Sequence, residues 1–277
     1  MSGINTLGAF KSFTDTLPEQ NYLMPVLFVG HGSPMNGIED NEFSKRWTTI
    51  AKEIPTPKAV LVISAHWFTK GTSITAMDFP KTIHDFYGFP PALFNTFYPA
   101  PGSPNLANAT KELITETDVT LDNNWGLDHG SWSILKNMYP LANIPVLEMS
   151  LDTRLTPVQH YALAKELKAL RTRGVLIIGS GNMVHNLGNM NWHLPEAGFD
   201  WADAANTQIK NAINNHTHEY LYQQNLWDVH MNMSVPTLEH YLPLLYTLGL
   251  QEENETARLF NDKTIYGSIS MTSLLIA

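Results

Sequence analysis

The chain has 277 residues, with 17 Lys and Arg against 26 Asp and Glu. The formal charge of −9 argues against general nucleic-acid binding, which needs a basic face. It has no cysteine, which excludes disulfides, iron–sulfur clusters, thiolate zinc sites and cysteine nucleophiles, and its 11 histidines mean that any metal would be held by imidazole nitrogen and carboxylate oxygen.

Residues 1–22 read as an extension ahead of a domain over 23–277. They lack the basic start and apolar run of a signal peptide. No stretch reaches the roughly 18 apolar residues of a membrane helix. The expectation is a cytoplasmic protein without membrane or nucleic-acid partners; nothing in the sequence bears on oligomeric state.

The first strand is Met24–Val29, ending at Gly30-His31-Gly32-Ser33-Pro34. An amphipathic helix is expected over Glu42–Ile54, stopped by Pro55 and Pro57. The second strand is Ala59–Ser64, ending at Ala65-His66-Trp67. A strand–helix–strand unit favours a parallel pair, and continuous β-branched runs favour burial on both faces. Residues 78–104, rich in Pro, Gly and aromatics, predict a long ordered loop with a short helix over Pro91–Asn95, and such loops are often functional. A helix over Asn105–Glu116 and a short strand over Val119–Leu121 follow. Then come a helix over Trp132–Tyr139, a strand over Val146–Ser150 and a helix over Pro157–Arg171. The apolar strand Val175–Gly179 leads into Ser180-Gly181-Asn182-Met183-Val184-His185. A helix is expected over Trp201–Asn215 and another over Glu239–Leu248, with a polar, unassigned stretch between. Two strands, near 256–260 and 268–275, close the chain. No repeat or flexible linker divides it. The fold class is α/β: a single three-layer α/β/α domain around a central, mostly parallel mixed sheet.

Three histidines recur in one context: His31 after VLFVG, His66 after VLVISA and His185 after VLIIGSGNMV. Each is expected just past the carboxyl end of a buried strand, where open α/β sheets bind ligands. A lone loop histidine is ordinarily structural; three at matching positions point to a shared site. His129 begins Asp128-His129-Gly130-Ser131-Trp132 after a Gly-containing turn and, by itself, reads equally as part of a helix cap. His240, taken alone, reads as a solvent-facing helix residue. His84 lies in the aromatic loop, where it could line a pocket, His193 sits in an irregular segment, and His160, His216, His218 and His230 read as surface residues. The aromatics from Phe86 to Tyr98 read as core or as the wall of an aromatic-substrate pocket. GHGSP and GSGN match neither a phosphate loop, a dinucleotide fingerprint nor a nucleophile elbow, and no H-E-x-x-H occurs.

The blocks Val29-Gly30-His31-Gly32-Ser33-Pro34-Met35, Ser64-Ala65-His66-Trp67-Phe68, Ile83-His84-Asp85-Phe86 and Tyr98-Pro99-Ala100-Pro101-Gly102 carry a resemblance. So do Asp128-His129-Gly130-Ser131-Trp132, Gly181-Asn182-Met183-Val184-His185-Asn186-Leu187 and Glu239-His240-Tyr241-Leu242-Pro243-Leu244-Leu245-Tyr246. Together they resemble the class III extradiol ring-cleaving dioxygenases, in the bacterial and plant 4,5-DOPA dioxygenase-like branch, across residues 24–277. The resemblance implies one divalent metal per chain, Fe(II) for activity or Zn(II) as the ion with which such proteins are found. It implies a catechol such as DOPA and O2 as substrates and a muconic semialdehyde as product. Carried over, His31 and His66 match the first two ligand motifs. The third ligand falls at Glu239 or His240; better-known members place a glutamate there in a 2-His-1-carboxylate set, and His240 is favoured here. His185 matches the acid–base histidine and lies close enough in pattern to be a ligand as well. His129 matches a substrate-pocket partner that steadies charge on oxygen. The alternative from a different chemistry is a zinc-dependent hydrolase on the same histidines.

Overall fold

The structure is a computed structural model, and residues 17–277 are described. Residues 1–16 of the expected extension lie outside them, and the rest of it packs onto the fold, with the Gln20 backbone N–H donating to the Thr172 carbonyl.

The strand β1 (Val26–Gly30) is followed by α1 (Glu42–Glu53), whose start is fixed by a capping box between Asn41 and Ser44. Next come β2 (Ala59–Thr69), β3 (Thr72–Thr75), the short α2 (Pro91–Phe94) and α3 (Pro104–Leu113). Then follow β4 (Val119–Asp122), α4 (His129–Met138), β5 (Val146–Asp152), α5 (Pro157–Glu166), α6 (Lys168–Arg171) and β6 (Val175–Gly181). The chain ends with α7 (Asp200–Asn214), α8 (His218–Tyr222), α9 (Val229–Ser234), α10 (Leu242–Gly249), β7 (Ala257–Phe260), β8 (Thr264–Ile265), β9 (Ile269–Ser270) and β10 (Ser273–Ile276).

Eight strands form one sheet in the order β4-β3-β5-β2-β6-β1-β10-β7. The centre is parallel, β5 to β2 to β6 to β1, and antiparallel strands close the β1 side. Side chains alternate across a strand, and the apolar residues of the central strands divide accordingly. Val26, Phe28, Leu61, Ile63, Leu147, Met149 and Ile177 join one core with α3, α5, α7 and α10. Leu27, Val29, Val60, Val62, Val146, Leu176 and Ile178 join the other with α1 and α4. Helices on both faces give the expected three layers.

Several expected boundaries move. The second strand runs on to Thr69, so His66 lies inside β2, beside a register shift between Ile63 and Phe68, rather than past its end. β3 is missed by apolar patterning because it is polar, Thr-Ser-Ile-Thr. The helix expected from Trp132 starts three residues earlier, since Asp128 caps it by accepting from the Ser131 backbone. The expected helix over Pro157–Arg171 breaks at Leu167 into α5 and α6. His240 falls in the turn before α10 instead of inside a helix. The unassigned stretch holds α8 and α9, and the last expected strand is split into β9 and β10.

Candidate active site

The pairing register builds the site. Val29 pairs with Ser180, and Ser180 pairs with Ser64, so these three residues share one row across β1, β6 and β2. His31 and His66 each stand two residues beyond that row, on the same side of the sheet and flanking β6. The start of α4 is pinned above them, with Ser180 Oγ donating to the Gly130 carbonyl at 2.6 Å and Ser64 Oγ donating to Asp128 Oδ1 at 2.9 Å. His129, the first residue of α4, is thereby stacked on His66 at 3.9 Å between ring centroids.

His240 arrives from the other side of β6. Its carbonyl accepts from the Asn182 backbone N–H at 2.8 Å, directly after the strand. A Cβ at Gly181 would overlap that carbonyl oxygen, so glycine there permits the close approach. His240 Nε2 lies 3.3 Å from His66 Nε2, and its ring is 5.4 Å from that of His31. His185 stands four residues past β6, bridged through its backbone to Ile269, and lies face to face on His240 at 3.5 Å and 9°. The structure thus brings together all five histidines singled out in the sequence.

Hydrogen bonds fix which nitrogen carries the proton on His31, His129 and His240. The single hydroxyl proton of Ser180 goes to Gly130, so His31 Nδ1, 3.0 Å from Ser180 Oγ, must be the donor, and its Nε2 is a free lone pair. His240 Nδ1 faces Glu239 Oε1 at 3.4 Å, which likewise leaves Nε2 bare. His66 Nδ1 lies 3.2 Å from Asp85 and 3.7 Å from Asp128. Asp85 also accepts from the His129 ring and backbone, both at 3.0 Å. Among the described residues, the ring of His185 makes no hydrogen bond to the protein.

Burial and mutual repulsion set the charges. Burial lowers His31 well below the ordinary histidine value, and the surrounding histidines add to it. Burial lowers His240 to about 4, with Glu239 opposing, and lowers His185 to about 2, aided by His240. Burial and His66 also lower His129. His66 is the exception: burial would lower it, but Asp128 and Asp85 outweigh that and raise it to about 9. Behind Asp128, Glu148 accepts from Trp125 Nε1, the Ser131 hydroxyl and the Asp128 backbone. Burial and Asp128 push Glu148 well above the ordinary carboxyl range, so it gives up its proton last.

The histidines open onto a cavity of about 460 Å³. Its apolar wall includes Phe86, Phe89, Leu187, Met190, Trp192 and Tyr266. The aromatic loop therefore divides: Phe86 and Phe89 face the cavity, Leu93 and Tyr98 are core, and Tyr87 and Phe97 are exposed. Three sets of side chains are close enough to hold one ion: His31, His66 and His129; His185, Glu239 and His240; and His66, Asp85 and Asp128.

Two of the remaining histidines differ from expectation. His84 does not line the cavity; it lies against Phe86 and Trp132, and its Nε2 donates to the Thr96 carbonyl at 2.9 Å. His160 is fully buried, not a surface residue, because the Tyr246 hydroxyl stands 2.9 Å from its Nδ1 inside the α5–α10 contact. His218 and His230 are half-buried, and His216 and His193 are exposed. Sequence reasoning missed Asp85, Glu148, Ser64 and Ser180. The available signal was polar residues inside otherwise apolar strands, two positions before His66 and at the end of β6.

Residues 25–269 match the family described as the catalytic LigB subunit of aromatic ring-opening dioxygenase. The chain is 44% identical over 259 residues to 4,5-DOPA dioxygenase extradiol of Escherichia coli (strain K12), spanning 91% of this chain and 94% of that protein. It is 36% identical over 265 residues to the protein of the same name from Beta vulgaris, spanning 92% and 98%. A crystal structure of an uncharacterized protein from Escherichia coli K12 superposes with a TM-score of 0.80 at 40% identity, covering 92% of this chain and 100% of that one.

Proposed function

The chain belongs to the family of the catalytic LigB subunit of aromatic ring-opening dioxygenases, and we propose that it opens the ring of a DOPA-like catechol beside a hydroxyl-bearing carbon. Both atoms of O2 enter the product, a muconic semialdehyde. It is an extradiol dioxygenase, and membership of this family favours ring opening over the hydrolytic alternative.

The observation that carries the site assignment is the orientation of three imidazoles. His31, His66 and His240 each turn Nδ1 toward a hydroxyl or carboxylate of the protein, which frees Nε2. The three are not one of the sets already close enough to hold an ion, as His31, His66 and His129 are, so a shared ion would draw them together. His66 Nε2 and His240 Nε2 lie 3.3 Å apart, and a divalent cation bound by them would displace any proton held between them. An all-nitrogen set suits Fe(II) and Zn(II) alike. When bound, the ion would supply Lewis acidity toward the catechol oxygens and, as Fe(II), a path by which the catechol's own electrons reach O2. Glu239 acts behind His240 as the acceptor that orients it, so His240 is the better third ligand.

His185 is the proton acceptor. It lines the cavity, and among the described residues its ring has no protein partner to compete with a catechol hydroxyl. Burial makes it a weak base in the ion-free site, so it would accept a proton only from a hydroxyl made acidic by the ion. His129 donates Nδ1–H to Asp85 and presents a bare Nε2, so it steadies negative charge on oxygen only after taking up a proton itself. Phe86 and Phe89 hold the flat ring and keep water from it.

The test is to load fresh protein with Fe(II) under anaerobic conditions, admit air and follow O2 uptake with DOPA, protocatechuate and catechol, with metal analysis alongside. Yellow product and O2 consumption with at least one catechol is the expected result; no uptake across the panel removes the proposal.

A further inference from the structure

Among the described residues, the cavity that holds the five histidines is lined by one carboxylate, the exposed Glu39, and by no Lys or Arg. That carboxylate is held in place relative to the histidines. The His31 carbonyl accepts from Asn36 Nδ2 at 2.9 Å, Asn36 Oδ1 accepts from Asn41 Nδ2 at 2.8 Å, and Asn41 Nδ2 also donates to Glu39 Oε2 at 3.4 Å. Asn41 has no spare freedom, because its Oδ1 caps α1 by accepting from Phe43 and Ser44 at 3.0 Å. The next residue behaves differently: Asp40 pairs with Lys45 at 3.3 Å. Among the described residues, Glu39 is in no ion pair, although it also lines the neighbouring surface cleft that contains Lys45 and Lys136.

A positioned carboxylate in no ion pair, at the mouth of an aromatic pocket, is a receptor for a cation. Trp192 and Tyr266 line the same cavity and offer ring faces that favour a positive charge. A substrate carboxylate would find no Lys or Arg among the described residues that line the cavity, and it would approach a chain of formal charge −9. Resting on the reading of the site as a catechol cavity, we propose that Glu39 reads a protonated amine on the catechol's side chain. The preferred substrates are then catechols bearing an ammonium group. A side-chain carboxylate is tolerated where the amine accompanies it and disfavoured where it stands alone.

Three catechols differing only in the side chain test this: dopamine, 4-methylcatechol and 3,4-dihydroxyphenylpropionate. Calorimetry on the Zn(II)-loaded full chain measures binding without turnover, and O2 uptake with Fe(II) measures KM. Wild type is expected to bind dopamine most tightly and the propionate least. In Glu39→Gln the preference for dopamine over 4-methylcatechol should fall about fivefold, the upper end for an ion pair open to water, and the penalty on the propionate should shrink. An unchanged dopamine preference in Glu39→Gln, or a wild-type preference for the propionate, overturns the assignment. Absent O2 uptake with all three would instead sink the dioxygenase reading, while the calorimetric ratios still judge Glu39.

Discussion

Asp85 stands 3.2 Å behind the Nδ1 of His66, and the same carboxylate oxygen lies 3.0 Å from the Nδ1 of His129. One side chain from the aromatic loop thus ties together a proposed metal ligand and a proposed substrate-pocket residue. Burial works to raise Asp85, yet its bonds to the two histidines hold it below the usual carboxylate range, so it stays charged at neutral pH. Asp85→Asn removes the charge with little change of shape. The variant should bind divalent metal about 10–100-fold more weakly, the usual cost of losing a ligand's orienting partner. In wild type, metal affinity should rise with pH up to about 9, because His66 must release a proton to bind. In Asp85→Asn that rise should level off at lower pH. Competition with a chromophoric chelator across pH measures both, and identical profiles for the two proteins would refute the coupling.

His185 is assigned to proton transfer and not to the metal. His185→Ala should keep its ion and lose turnover by about 10²–10⁴-fold. Metal content and O2 uptake on the same preparation separate the two roles. Loss of the ion along with activity would make His185 a ligand, which its 3.5 Å stacking on His240 brings within reach.

The third ligand is open to the same comparison. His240→Ala should emerge from purification without metal, whereas Glu239→Gln should retain it with affinity reduced about 10–100-fold, as expected for a residue that only orients the ligand. The reverse order would hand the position to Glu239.

His160 makes a prediction about stability that is independent of the metal. Burial lowers it from 6.5 to about 4 in the folded chain. Between those values the unfolded chain binds a proton that the folded chain refuses, so stability falls as pH drops from 6.5 toward about 4. The full effect is about 3 kcal/mol. His160→Gln should flatten this part of the pH–stability curve, read by urea denaturation of the metal-free protein at several pH values. An equal slope in the variant would place the acid sensitivity elsewhere.

The centre of the sheet was legible because its strands carry short apolar runs, two of which, β1 and β6, end in glycine. The row Val29–Ser180–Ser64 was not, since pairing register depends on contacts between strands that lie far apart in sequence. That register is what converts three separate strand ends into one site. His66 was placed past its strand because apolarity stops at Ala65, while backbone pairing with β5 resumes at Phe68. Asp85 escaped notice because its role is visible only once a loop residue is seen beside two histidines from other elements. His160 was misread for the opposite reason: α5 carries little amphipathic signal, and only the packing of α10 onto it covers that side chain.

The five histidines span residues 31 to 240 and belong to elements that meet only through the central sheet. An unfolded chain would have to close loops of that length to present the same nitrogens, at an entropic cost the native sheet has already met. An ion that prefers this arrangement therefore binds the folded chain almost exclusively, and its concentration becomes a variable of folding as well as of catalysis. Depleting the ion would switch off the chemistry and, in the same step, leave a larger share of the chains open to proteolysis.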